Sequence, residues 1–345
     1  MNPELQPDFS LAGEDKIFKK MIKLTVGMME ESKNGCPLRV QHAKAAACVT
    51  ANFEIAPDIP AELQHGVFSQ AGQTFEAIVR FSTAQGKIQP DSDPTALGLA
   101  IKLLDVDGPR AIPGDTDQTQ DFLFVDHPVF PFPNAKAYRN VIKYKSVPVI
   151  GDILAFIYLQ VFAPDQLAVV QKIRNKTAAS PLNSIYWSGS PYWLGNAANT
   201  TGQAVKYSAV PSTVTAGPDN PDDLPDDYLR DAVTKQLAEK EVVFDIKVQP
   251  QGDPEKMPIE DTSVAWDEQK SVPVKVAILR IHKQTVTSNS ALEQRCEDMS
   301  FNPWHALKEH RPLGGINRLR KAVYEASFIE RKQRKGTASS DPRKD

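Results

Sequence analysis

Ala45-Ala46-Ala47-Cys48-Val49-Thr50-Ala51-Asn52-Phe53-Glu54-Ile55 is the stretch on which the fold turns. Its second half alternates, with Val49, Ala51, Phe53 and Ile55 set against Thr50, Asn52 and Glu54, the period of a half-buried strand. Working outward, the same texture returns at Thr74–Ser82, Leu97–Leu104 and Asp121–Asp126. The runs are separated by turn clusters such as Asp91-Ser92-Asp93-Pro94 and Pro113-Gly114-Asp115. Glu241–Val248 and Val272–Ile281 read as later strands, with Ala204–Ala209 as a third candidate. Strands joined by turns, with one long excursion at 127–200, predict an antiparallel β-barrel. Helix-like runs lie in and around it, at Ala135–Tyr144, Asp165–Lys176, Asp227–Glu239 and Gly315–Lys332. The fold class is therefore α+β, a barrel with surrounding helices. The excursion also holds an aromatic segment, Tyr186 to Trp193, and 214–227 is an acidic, Pro-rich loop.

Residues 15–32 place Ile17, Phe18, Met21, Ile22, Leu24, Met28 and Met29 at helical spacing, with lysines mostly opposite. This amphipathic helix is expected to dock on its own domain or on a partner subunit, with a membrane-surface helix as the alternative. The chain of 345 residues has 41% hydrophobic and 24% charged residues, an ordinary globular composition. Its 40 Lys and Arg against 43 Asp and Glu leave a net charge of −3, which gives no nucleic-acid footprint. No apolar run approaches the roughly 20 residues of a membrane span. Cys36, Cys48 and Cys296 are too few and too scattered for a disulfide framework or a zinc knuckle. The odd count and the polar start suit a reducing, cytoplasmic setting.

Three segments carry chemistry. The first is Arg39-Val40-Gln41-His42-Ala43-Lys44-Ala45, leading into the first strand. The second is Val79-Arg80-Phe81-Ser82, closing another. The third is Arg320-Lys321-Ala322-Val323-Tyr324 on the last helix, preceded by Phe301-Asn302-Pro303-Trp304. Singly, each has a plain structural explanation: a satisfied histidine, an Arg capping a strand, two neighbours one helical turn apart.

Together and in this order, they resemble the heme catalase family, most of all the small catalase-related peroxidases and hydroperoxide-converting proteins. The likeness runs from about Cys36 to Arg331. It implies heme b bound through Tyr324, with Arg320 as the cation beside a phenolate ligand, because a tyrosine hydroxyl ordinarily ionises only near pH 10. It implies His42 as the distal acid–base group for O–O cleavage, with Ser82 beside it. Arg39, Arg80 and Arg331 would meet the heme propionates. Tyr138 falls where catalases put a phenylalanine on the heme's distal face, with Phe130 as a further contact. The resemblance divides the chain into an N-terminal helical arm (1–35), a heme domain (36–332) and a disordered tail (333–345). Arms of this family are often exchanged, so a homo-oligomer is expected.

The departures shape the expected activity. Family members set an asparagine beside the distal histidine; here that place falls on either Val125 or Asp126. Gln41 stands before the histidine, Leu97-Gly98 replaces Arg-Gly, and Ala45 replaces a glycine. The expected function is a heme peroxidase acting on hydrogen peroxide or organic hydroperoxides, with weak disproportionation. The alternatives are a fatty-acid hydroperoxide isomerase or dehydratase, and a degenerate heme binder.

Overall fold

In the computed structural model, which describes residues 3–7, 9–32, 35–93, 95–174, 176–214 and 223–336, the first strand falls where the alternation puts it. β1 (Ala45–Ile55) pairs antiparallel with β2 (Thr74–Thr83), β2 with β3 (Leu97–Leu103), and β3 with β4 (Gln120–Val125). The aromatic segment of the excursion, read in the sequence without strands, forms two short ones: β5 (Tyr186–Trp187) and β6 (Tyr192–Gly195). β7 (Gly202–Pro211), β8 (Val242–Pro250) and β9 (Val274–Ile281) complete the sheet.

Closure depends on β5. Trp187 pairs with Val125 on one side and with Ser208 of β7 on the other. β9 returns to β1, with Asn52 opposite Arg280. The ring β1-β2-β3-β4-β5-β7-β8-β9 is thus a closed antiparallel barrel of eight strands, with β6 hanging from β7. Every strand of the ring has two neighbours, with β4 meeting β5 at the single pair Val125–Trp187.

The barrel interior is filled. Phe53 and Phe122 stack at 5.7 Å between ring centres, Phe68 stacks on Phe122, and Tyr207 meets Phe122 edge-on at 5.2 Å. His310, fully buried, closes this cluster. Its Nε2 accepts from Val67 N at 3.0 Å, so in the neutral ring Nδ1–H donates to Tyr207 Oη at 2.9 Å. Burial holds this imidazole's pKa down to about 3.

Seven α-helices among the described residues pack outside. α1 (Glu14–Gly27) ends earlier than the 15–32 pattern suggested. It lies on α2 (Ala135–Lys145) and α7 (Gly315–Arg334), burying Met21 against Ala135, Ile142 and Leu319. Arg318 of α7 clamps it by a bidentate pair with Glu14, both bonds 2.8 Å, so its apolar face is spent within its own chain. α3 (Gly151–Phe162), unread in the sequence, precedes α4 (Pro164–Arg174). α5 is Tyr228–Glu239, and α6, also unread, is Ala291–Asp298. α7 runs two residues past the expected 332 boundary; the tail from 337 and residues 215–222 of the acidic loop lie outside the described residues.

One expectation about cysteine is overturned. Cys48 of β1 and Cys296 of α6 form a disulfide across 248 residues of sequence, leaving Cys36 free. Their separation in sequence hid a pairing that the barrel creates by packing α6 on β1. No helix among the described residues is long and apolar enough to cross a membrane.

Candidate active site on the outer barrel wall

Opposed residues in an antiparallel sheet point to the same face. Phe81, Leu99 and Phe124 are one such row and belong to the barrel core. The rows on either side therefore point outward: Arg80, Ala100 and Leu123 in one, Ser82, Gly98 and Val125 in the other.

His42 sits on the second row. Its backbone has φ 56°, a left-handed conformation uncommon outside glycine. Its Nδ1 lies 3.1 Å from Ser82 Oγ. Gly98 makes room for the ring: a Cβ there would stand 2.4 Å from His42 Nδ1 and 2.9 Å from Ser82 Oγ. Burial, then the charges of Arg80, Arg320 and Arg39, push the His42 pKa down to about 3. The imidazole is therefore neutral at any ordinary pH.

The open choice between Val125 and Asp126 resolves by pleat. Val125, opposite Gly98, faces the His42 side. Asp126 turns the other way, and its Oδ1 accepts from Leu97 N at 2.9 Å. Burial raises its carboxyl pKa against the pull of Lys176, whose Nζ bonds the Asp126 carbonyl at 2.5 Å. Asp126 therefore holds the β3–β4 end together and is removed from the expected catalytic set.

α7 supplies the opposite wall. Arg320 Nη2 donates to Tyr324 Oη at 3.3 Å, one turn on, and its Nη1 donates to Asn317 Oδ1 at 3.1 Å. Burial opposes this cation, but the Tyr324 and Tyr192 hydroxyls beside it prevail and raise its pKa. Asn317, fully buried, is held by Pro191 O and Leu313 O and so fixes the arginine's bearing. Tyr138 of α2 also faces here. Burial and the nearby Tyr324 push its hydroxyl up to about 12, so it stays protonated. Phe130 meets Tyr138 edge-on at 5.0 Å, and Phe132 stacks on Tyr138 at 5.2 Å. His42, Val125, Tyr138, Arg320 and Tyr324 are each half-buried and border one slot between the barrel wall and α7.

Below the slot, three arginines converge. Glu297 of α6, not singled out in the sequence, stands among them. Arg80 donates to its Oε1 through Nε at 3.2 Å and Nη2 at 3.0 Å, and Arg39 pairs with its Oε2. Arg39 Nη2 also bonds Cys296 O at 2.6 Å and Met299 O at 3.1 Å, and Arg331 Nη2 bonds Met299 O at 3.0 Å. Burial would raise the Glu297 pKa, but Arg80 and Arg39 outweigh it and hold it at about 2. Burial and the other guanidinium groups lower Arg39 well below its ordinary value. Three cations share one carboxylate, and the surplus matches a ligand with two carboxylates. No sequence signal marked Glu297, because α6 is short and only its fold-back brings it to Arg80.

The donor set fits heme: a tyrosine with an arginine partner on one wall, a neutral histidine on the other, and surplus arginine at one end. Among the described residues no group of three or more His, Cys, Asp or Glu could hold a metal ion.

Comparison with known proteins places the fold. A bacterial catalase superposes with a TM-score of 0.66 at 16% identity, over 94% of this chain and 62% of its own. A fungal catalase gives 0.66 at 16% identity, over 96% and 67%. Catalase A from Saccharomyces cerevisiae gives 0.68 at 14% identity, over 96% and 69%. The barrel and its helices have the catalase fold, and the chain spans about two thirds of the length of these structures. No family model and no curated protein matches the sequence.

Proposed function

We propose that this chain is a heme oxidoreductase acting on peroxides, a peroxidase or hydroperoxide-processing enzyme on the catalase fold. Fold alone does not assign activity, so the reading rests on one observation: Arg320 lies within electrostatic reach of both Tyr324 and His42, on opposite walls of one slot. Heme b bound there would supply a redox-active iron for O–O cleavage. Tyr324 would ligate it, with Arg320 setting a cation beside the ligand oxygen. Arg39, Arg80 and Arg331 would hold the propionates, and Phe130 and Tyr138 would pack against the ring.

His42 does the proton work. In the tautomer whose Nδ1–H donates to Ser82 Oγ, Nε2 keeps its lone pair. It can take the proton of a bound hydroperoxide and return it to the departing oxygen. Val125 offers no hydrogen bond to that substrate, so a hydroperoxide is held chiefly by His42 and by the apolar aromatic wall. This favours organic hydroperoxides or one-electron peroxidase turnover over disproportionation. The division into arm, heme domain and tail, and a homo-oligomer, are part of the same reading.

The absorption spectrum of the purified protein tests it. The parent should carry a ferric heme band, and Tyr324→Phe should lose heme or shift the band sharply. A parent that neither retains nor takes up heme, or a Tyr324→Phe spectrum identical to the parent's, overturns the assignment.

A further inference from the structure

A helix on the surface of a soluble protein normally carries charge on its outward face. α3 does not. Gly151, Ala155 and Leu159, spaced four apart, are its buried stripe, and Ala155 and Leu159 pack with Phe132 and Val141. On the other side Ile153, Phe156, Ile157 and Val161 are 62%, 48%, 49% and 62% exposed, and Gln160 is the polar residue among them. The preceding loop adds exposed Val147, Val149 and Ile150. Val149 stands wholly in solvent at φ 66°, a conformation that β-branched residues rarely adopt. At 12 residues α3 is about 18 Å long, too short to cross a hydrocarbon layer of about 30 Å.

The border of this face is cationic. Residues 135–176 hold seven Lys and Arg against two Asp, a balance of +5 in a chain whose net charge is −3. Lys143 and Lys145 sit in the last turn of α2, just before the apolar loop. Lys145 reaches to 4.0 Å from Asp152 on α3, and Lys143 lies over Tyr144, which stacks on Tyr158 of α3 at 4.8 Å. A second copy meeting this face across a two-fold axis would bring two cationic borders together, a repulsive contact. An anionic bilayer surface complements both features: headgroups meet the lysines, and the acyl boundary takes the apolar face.

We propose that α3 and the 147–150 loop dock this protein on anionic phospholipid membranes. The slot lies one helix layer away, since α3 packs on Phe132, which stacks on Tyr138. The docking surface stands independently of the heme assignment.

Co-sedimentation of the full chain with vesicles tests it. The parent should bind mixed phosphatidylcholine–phosphatidylglycerol vesicles, bind pure phosphatidylcholine far less, and release as salt rises. Lys143→Ala with Lys145→Ala should weaken binding about 30-fold, at about fivefold per membrane-facing cation. Ile153→Ser/Phe156→Ser/Ile157→Ser should abolish binding while unfolding at the parent's temperature, because these side chains are exposed. A parent that ignores anionic vesicles, or a triple variant that binds as the parent does, overturns the proposal. So does light scattering that shows a parent oligomer which the triple variant dissolves, since a second copy would then cover the face.

Discussion

Gly98→Ala is the substitution that most directly joins the geometry of the slot to its chemistry. The new Cβ would stand 2.4 Å from His42 Nδ1, and ordinary contact begins near 3.4 Å, so the imidazole must retreat by about 1 Å. Ser82 Oγ, 2.9 Å from the same point, must move as well, which loosens the hydrogen bond that aims the ring. His42 cannot yield freely, because its backbone is fixed at φ 56° and its N–H donates to Ala84 O at 3.3 Å. Overpacking of this kind costs about 1–3 kcal/mol, offset by about 0.4–1 kcal/mol from the smaller entropy of an unfolded alanine. The net loss should be about 0–2.6 kcal/mol, read as a lower urea midpoint. Misplacing a reacting group by about 1 Å can cost roughly 10²-fold in rate, and turnover of an organic hydroperoxide, normalised to heme content, should fall by that order. A variant that loses stability but keeps the parent's rate would sink the role given to His42. One that loses neither would sink the contact itself.

Acid should destabilise the folded protein over a defined window. His42 and His310 have folded pKa values of about 3, below the ordinary 6.5, so between those limits the unfolded chain binds protons that the folded one does not. Stability should fall as pH drops from 6.5 towards 3, while the basic form of His42 persists; a rate that follows a group titrating near 6.5 would contradict the latter. Glu297→Gln leaves three arginines without their shared anion. With 39% of the Glu297 side chain exposed, solvent screens part of the attraction, and a loss of about 1–2 kcal/mol is expected. Adding heme should shrink that loss, and an equal loss with and without heme would place the propionates elsewhere. Val125→Asn should raise oxygen evolution from hydrogen peroxide, since it adds a donor beside His42; an unchanged rate would show that residue 125 does not face the substrate.

Much of the barrel was legible because its strands carry their own signal. β1 was bounded to the residue by alternation, and β2, β3, β4 and β9 fell within two residues of expectation. β5 was not legible, since two residues show no period, and its pairing is decided by the ends of β4 and β7. α3 was missed for a related reason. Its sequence is apolar on nearly every side, so it lacks the polar face that marks a surface helix. In the site, His42, Arg320 and Tyr324 were read from motif order, and the structure sets them on facing walls. Glu297 and the Cys48–Cys296 bond were hidden because they exist only where α6 folds back on β1.

The filled barrel dictates where the chemistry can lie. Phe53, Phe68, Phe122, Tyr207 and His310 pack the barrel interior, and the candidate residues lie on its outer wall. The outer rows of β1 to β4 supply one wall, with arginine in one row and Ser82, Gly98 and Val125 in the next. A second wall has to come from helices, and α7 reaches it because Asp121 anchors the segment just before it. Asp121, fully buried, pairs with Lys102 at 2.6 Å across the same outer face and accepts from Asn302 N at 2.8 Å. Trp304 Nε1 then donates to Asn317 O at 2.7 Å, and Asn317 Oδ1 accepts from Arg320. One chain of buried polar contacts thus runs from the barrel strand through the Phe301–Trp304 segment to the arginine beside Tyr324. That chain gives the Phe301-Asn302-Pro303-Trp304 stretch its purpose: it sets the spacing between His42's wall and Tyr324's.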